Sequence, residues 1–132
     1  MGRSFPGEMQ LLIPAQEEYA LAAALAVNGL GVKAGLDLDL LGDLRTVTTE
    51  CIDCLANQPR VPEEIRLTAS LREGMLSLRF EALSRGETLS NPPSDPVLTR
   101  SVLETLMPVV SLEEDQGGIH TLCCAMRCFA ND

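Results

Sequence analysis

Hydrophobic and polar side chains alternate strictly in the middle of the chain. From residue 65 to residue 71 every second side chain is apolar, and the same two-residue period returns from residue 76 to residue 82. This period is typical of β-strands that have one buried and one solvated face. Because Glu73 and Gly74 separate the two segments, we expect a β-hairpin with its turn at these residues.

Two segments before this hairpin have the residue spacing of helices. Residues 17–34 are rich in Ala and Leu, begin with two acidic residues and are followed by Gly35. Acidic residues are favoured in a first helical turn, and glycine is favoured just after a helix ends. Apolar residues then recur at helical spacing up to Ala56, which predicts a second helix with Asp39 as its N-cap.

The remaining segments add one helix and three strands. Asp95 followed by Pro96 predicts the start of a third helix, which ends before Pro108. The polar segment 84–95 that precedes this helix is predicted to be a loop. Short apolar segments predict strands at residues 9–14, 109–113 and 119–126.

The predicted order of elements is strand, helix, helix, strand, strand, helix, strand, strand. We therefore expect an α+β fold, a two-layer α/β sandwich with a mixed, mostly antiparallel sheet of four or five strands. Three helices cover one face of this sheet and the other face is solvated. The 132 residues have the length of one domain, which we assign to residues 1–132.

The chain is strongly acidic, and this narrows the classes of partner. It has 19 Asp and Glu residues against 10 Lys and Arg residues, which gives a net charge of −9. Such a surface repels nucleic-acid phosphates and anionic lipid, so we expect no nucleic acid and no membrane as partners. A basic protein partner fits this charge better.

The N-terminal residues contain no apolar segment of signal-peptide length, and no apolar run is long enough to span a membrane. We therefore expect a cytoplasmic protein. Its five cysteines are expected to be reduced thiols in that compartment.

Four segments have counterparts in a known family, in the same order as the predicted elements. Residues 12–19 are similar to its opening strand and helix entry, and residues 48–54 to a helix that carries Glu and Asn four residues apart. Residues 101–107 and 118–122 are similar to its last helix and last strand. On these segments the chain resembles anti-sigma regulatory factors of the serine-protein kinase type. The resemblance implies the ATPase fold of histidine kinases and DNA gyrase over nearly the whole chain.

The resemblance also implies which residues occupy the nucleotide site. In the family the Glu acts as a base or positions water, and the Asn oxygen binds the Mg²⁺ that bridges the phosphates. Here Glu50 is present but Cys54 replaces the Asn, and a thiol is a poor substitute for a hard oxygen ligand. Asp53 lies about 100° further round the helix, so we expect it to point away from the site. Glu81 is the nearest match, in a shifted register, to the Asp that reads adenine in the family.

The phosphate-binding segment also departs from the family. Family members have a glycine-rich lid whose backbone N–H groups cradle the phosphates. The corresponding residues here include Pro92, Pro93 and Pro96, which lack N–H groups, and Asp95, which is negatively charged. We therefore expect the fold to be kept, nucleotide binding to be weak or lost, and no cofactor to be required.

The resulting hypothesis is a regulatory protein-binding domain. The resemblance implies a protein partner such as a sigma factor or an anti-sigma antagonist, a role in transcription regulation, and a homodimer. One alternative is an ATP-dependent serine/threonine kinase that uses ATP and Mg²⁺, with Glu50 as catalytic base instead of a solvated surface carboxylate. A second alternative is a thiolate metal-binding module built from Cys51, Cys54, Cys123, Cys124 and Cys128, although Cys51 and Cys54 fall inside a predicted helix.

Overall fold

A computed structural model describes residues 7–84, 92 and 95–128. Every predicted helix and strand is present within a few residues of its expected bounds, whereas most of the predicted loop 84–95 lies outside the described residues. No helix among the described residues is long and apolar enough to cross a bilayer. The elements are β1 (Gly7–Pro14), a 3₁₀ turn (Glu17–Tyr19), α1 (Ala20–Lys33), α2 (Leu38–Ala56), β2 (Glu64–Arg72), β3 (Met75–Leu83), α3 (Pro96–Glu104), β4 (Val109–Asp115) and β5 (Gly118–Arg127).

The five strands form one open sheet in the order β1-β2-β3-β5-β4. All four strand pairings are antiparallel, so the sheet described here is not mixed. The register places Leu67 beside Leu11 on one side and beside Phe80 on the other, and Phe80 beside Leu122. These four residues therefore share one face of the sheet, because laterally paired residues point to the same side.

The helices cover that face and leave the opposite one open to solvent. Leu67, Phe80 and Leu122 belong to the same buried cluster as the helix residues Val27, Leu44 and Leu103. The alternating positions of β2 and β3, such as Arg66 and Arg79, lie on the opposite face, which we call the open face. This arrangement confirms the predicted α+β class and the solvated face of the central hairpin.

Local sequence signals set the helix and turn boundaries. Gly35 has a φ of 83° just after α1, and Glu73 and Gly74 have φ of 51° and 78° in the turn between β2 and β3, as the sequence predicted. The N-cap of α2 is Asp37 and not Asp39. Its side chain accepts a hydrogen bond from the Leu40 backbone N–H at 2.9 Å, so the helix begins two residues earlier than predicted.

Gln58 fixes the C-terminal end of α2 over the sheet. Its side chain is buried, its Nε2 donates to the Cys54 carbonyl at 2.8 Å, and its Oε1 accepts from the Ile119 backbone N–H at 2.9 Å. A buried amide that satisfies backbone groups on two elements holds them in one relative position. The last turn of α2 is therefore anchored to the start of β5.

Candidate functional site

The C-terminal half of α2 presents a row of polar side chains on its outer side. Glu50, Asp53 and Asn57 are exposed and Cys54 is half-buried. Their spacing of three and four residues makes them neighbours along one side of the helix. The rotation of α2 about its own axis is fixed because Cys51, on the inner side of the helix, is fully buried against the sheet.

A cleft of about 250 Å³ separates this row from α3. Sites that bury a whole small molecule usually measure about 300–1,000 Å³. The cleft is therefore suited to a single side chain or small group. We call it the α2–α3 cleft, and its lining residues are Glu50, Asp53, Cys54, Asn57, Leu98, Thr99, Val102 and Leu103.

The thiol of Cys54 lies in this cleft, between polar groups of α2 and α3. Its Sγ is 3.8 Å from the Thr99 hydroxyl and 3.4 Å from the Gln58 amide nitrogen. Burial raises the pKa of the Cys54 thiol above its usual value. The thiolate is the form of cysteine that binds metals, so the protonated thiol of Cys54 is a poor metal ligand. It is an especially poor ligand for Mg²⁺, which prefers oxygen.

Asp53 is part of a carboxyl pair with Glu17, at the edge of the same cleft. Asn57 Nδ2 donates to Glu17 Oε2 and to Asp53 Oδ1, each at 3.2 Å. Burial, and then the hydrogen bond with Glu17, raises the pKa of Asp53 to about 6, while the hydrogen bonds with Asp53 and Asn57 lower the pKa of Glu17. The two carboxyl groups therefore share a proton in mildly acidic solution.

The expectation that Asp53 points away from the site is wrong. Asp53 is indeed rotated from the line of Glu50 and Cys54, but α2 has a depression on each side, and Asp53 borders both. Asn57, one turn further along, holds the Asp53 carboxylate at this edge.

The second depression is a groove of about 400 Å³ between α1 and α2, which we call the α1–α2 groove. Three of its lining side chains are carboxylic acids and one, Arg45, is basic. The apolar wall comes from the start of α1. Its lining residues are Glu17, Ala20, Leu21, Arg45, Thr49, Glu50 and Asp53.

The structure does not bring Glu81 to either depression. Glu81 lies on the open face of the sheet, where its carboxylate is 3.6 Å from Arg66 Nη1 and 3.4 Å from Arg79 Nε. The sheet separates it from Glu50 and Cys54, which lie on the helical side. Of the three positions that the resemblance assigned to a nucleotide site, two are together and Glu81 is apart.

The cysteines are also distributed over both sides of the sheet. Cys51 and Cys124 are buried between α2 and β5, and their thiols are hydrogen-bonded to each other. Cys123, the residue before Cys124 in β5, lies on the open face beside Arg79, whose Nη1 is 3.6 Å from the Cys123 sulfur. Within the described part of the chain, no group of three or more His, Cys, Asp or Glu side chains is arranged to hold a metal ion.

Sequence reasoning missed three contributors to the site. Asn57 follows Asp53 by one helical turn, so the spacing alone could have indicated their contact. Glu17 and Thr99 come from distant segments, and no local pattern identifies them as neighbours of α2.

No protein-family model matches this chain, and no curated protein is recognisably similar to it in sequence.

Proposed function

We propose that this chain is a regulatory protein-binding domain that resembles anti-sigma factors and has weak or lost ATP binding. The proposal rests mainly on the α2–α3 cleft, at the position where the resemblance implies a nucleotide. Glu50 and Asp53 contribute two carboxyl groups there, and none of the described lining residues is a Lys or Arg. A triphosphate would meet negative charge with no basic side chain to offset it.

The start of α3 supports the same conclusion. Helix N-termini bind phosphate through free backbone N–H groups. Here Asp95 Oδ1 already accepts from the N–H groups of Val97 at 2.9 Å and Leu98 at 3.4 Å, and Pro96 has no N–H. The usual donors of a phosphate site are therefore occupied by the protein's own carboxylate.

The partner in this proposal is a protein such as a sigma factor or an anti-sigma antagonist, bound in the cytoplasm by a chain that forms a homodimer. The element order on which the resemblance relied is found in the structure, and the net charge of −9 favours a basic partner surface.

An ATP-dependent serine/threonine kinase is the second candidate function. It is favoured by the position of Glu50, an exposed carboxylate at the edge of the cleft and one turn from Cys54. In that case Glu50 would accept the proton of the attacking hydroxyl, and Mg²⁺ and ATP would occupy the cleft. The neutral thiol of Cys54 argues against this metal site.

Calorimetry with Mg·ATP separates the two functions. We expect no measurable heat at millimolar nucleotide, and none from Glu50→Ala, since neither protein has a phosphate site. The Cys54→Asn variant restores the family's oxygen ligand and shows whether the thiol alone prevents binding. Micromolar binding by the unmodified chain, with phosphoryl transfer that Glu50→Ala abolishes, would contradict the proposal and support the kinase.

A further inference from the structure

Helix α1 carries an apolar stripe that no other described part of the chain covers. Leu21, Leu25 and Val32 are 50%, 60% and 64% exposed. At 100° per residue these three side chains lie within about 40° of one another around the helix, and they extend about 16 Å along it. Single exposed leucines are ordinary, whereas three exposed apolar side chains aligned on one helix, interrupted only by the half-buried Asn28, are typical of an interaction surface.

The composition of α1 points in the same direction. Among its 14 residues only Asn28 and Lys33 have polar side chains, and only Lys33, in the last turn, is charged. A helix with so few polar side chains is normally covered on most of its sides. Gly29 lies beside the stripe, and a Cβ added there would meet no atom within 4 Å. A glycine weakens a helix, but at this exposed position it allows another helix to approach the backbone closely.

The charges of the helical layer indicate the chemistry of a partner that binds the stripe. Residues 17–56 include seven acidic and two basic side chains, a balance of five negative charges. Leu21 also lines the α1–α2 groove, so the apolar stripe continues directly into a depression where three carboxyl groups outnumber one basic side chain, Arg45. An aliphatic surface thus adjoins one with a net negative charge.

The open face of the sheet has no such excess of negative charge among the described residues. Four arginines and four glutamates lie on it, so its charges balance. Several of them form pairs of opposite charge across neighbouring strands, such as Arg66 with Glu81. The eight residues are Arg66, Arg72, Arg79, Arg127, Glu8, Glu64, Glu81 and Glu113. The negative charge that attracts a basic partner is therefore concentrated on the helical side.

We infer that the apolar stripe of α1 and the α1–α2 groove together bind an amphipathic basic helix of a protein partner. This inference rests on the proposed protein-binding function and adds a surface and a partner chemistry to it. Apolar side chains of the partner pack on Leu21, Leu25 and Val32, and a flanking Lys or Arg enters the groove between Glu17, Glu50 and Asp53. The straight stripe of about three turns fits a helix in a groove.

A second copy of this chain is a less suitable occupant of the same surface. Two copies joined through α1 would bring two acidic helical layers together, each with a balance of five negative charges, and like charges across an interface oppose association. A helix with Lys or Arg beside its apolar face buries the same stripe and neutralises the carboxylates.

The test uses the whole chain and a synthetic fluorescein-labelled peptide of about five helical turns, with Leu at heptad positions a and d and Lys or Arg at the flanking positions. Fluorescence anisotropy at low salt measures binding. We expect saturable micromolar binding that Leu25→Ser weakens at least about tenfold, as for a central apolar contact. The Gly29→Gln variant, which fills the open position without touching the core, should weaken it similarly.

The matched control is Leu12→Ser, because Leu12 is 53% exposed but lies on the open face; it should leave the affinity unchanged. A peptide with Glu in place of Lys and Arg should not bind, and added salt should weaken the basic peptide. Circular dichroism shows that each variant is folded.

Three outcomes overturn the inference: no peptide binding, an equal loss in Leu12→Ser, or affinity that is independent of salt and peptide charge. Sedimentation that shows a dimer of the unmodified chain dissociated by Leu25→Ser assigns the stripe to a second copy and also overturns it. None of these outcomes contradicts the proposed function, provided that Mg·ATP does not bind. Micromolar Mg·ATP binding contradicts the proposed function instead.

Discussion

At the scale of single residues, the site depends on contacts that only partly follow from sequence. The spacing of Glu50 and Cys54 placed both on one side of a helix, and the structure confirms that placement. The pairing of Asp53 with Glu17 was not predictable, because it joins segments that come together only when α1 and the 3₁₀ turn pack beside α2. Helical periodicity determines which residues share a side, but not which distant residue meets them.

Removing one charge from the carboxyl pair of Glu17 and Asp53 is expected to increase the stability of the fold in a pH-dependent way. The raised pKa of Asp53, about 6 against 3.8, means that the folded state holds this proton more tightly than the unfolded state. Stability from this group therefore falls as the pH rises from about 4 to about 6. We expect Asp53→Asn to raise the melting temperature at pH 7.5 and to have little effect near pH 3.5, as measured by calorimetry.

Asp39→Asn is the matched control, because Asp39 is exposed in the first turn of the same helix. There a carboxylate interacts favourably with the helix dipole, so its removal should not raise the melting temperature. A gain at pH 7.5 that is equal for both variants, or a loss with Asp53→Asn, would contradict the role of the pair.

At the scale of elements, periodicity and capping residues predicted most of the fold. The two-residue alternation gave β2 and β3, and Asp95 with Pro96 marked the start of α3, as the structure confirms. The same alternation already placed Glu81 among the polar residues of β3, which is why it lies on the open face. Matching Glu81 to the family's adenine-reading position overlooked this, since a shift of one residue reverses the face of a strand.

We expect the substitution of glycine by alanine to have opposite effects on stability at two positions of α1. A Cβ at Gly29 meets no atom within 4 Å, so Gly29→Ala should increase the free energy of unfolding by about 0.5–1 kcal/mol. A Cβ at Gly31 would lie 2.7 Å from Leu41 Cδ2 and 2.8 Å from Leu44 Cδ1. Because Leu44 is fully buried, we expect Gly31→Ala to decrease that free energy by about 1–3 kcal/mol.

Urea denaturation of the two variants and the unmodified chain measures both effects. Each glycine controls for the other, because both substitutions remove the same backbone freedom in the same helix. Changes of the same sign would show that the contact between α1 and α2 differs from the one described here.

At the scale of the whole molecule, one side of the sheet carries the acidic helical layer and the other a balanced set of charges. The sequence predicted the net charge of −9 and a preference for a basic partner, but composition alone does not locate charge on a surface. The asymmetry arises because α1 and α2 bring residues 17–56 to one side, while strand alternation sends four arginines to the other.

We propose that the helical layer binds a basic protein segment and that the α2–α3 cleft does not bind nucleotide. Amide chemical shifts of the ¹⁵N-labelled chain test both parts in one sample, by titration first with Mg·ATP and then with the basic amphipathic peptide. We expect millimolar Mg·ATP to leave the amides of Glu50, Cys54 and Thr99 unmoved, and the peptide to shift those of α1 and the α1–α2 groove. Saturable shifts around Cys54 and Thr99 with Mg·ATP, and none in α1 with the peptide, would contradict the account.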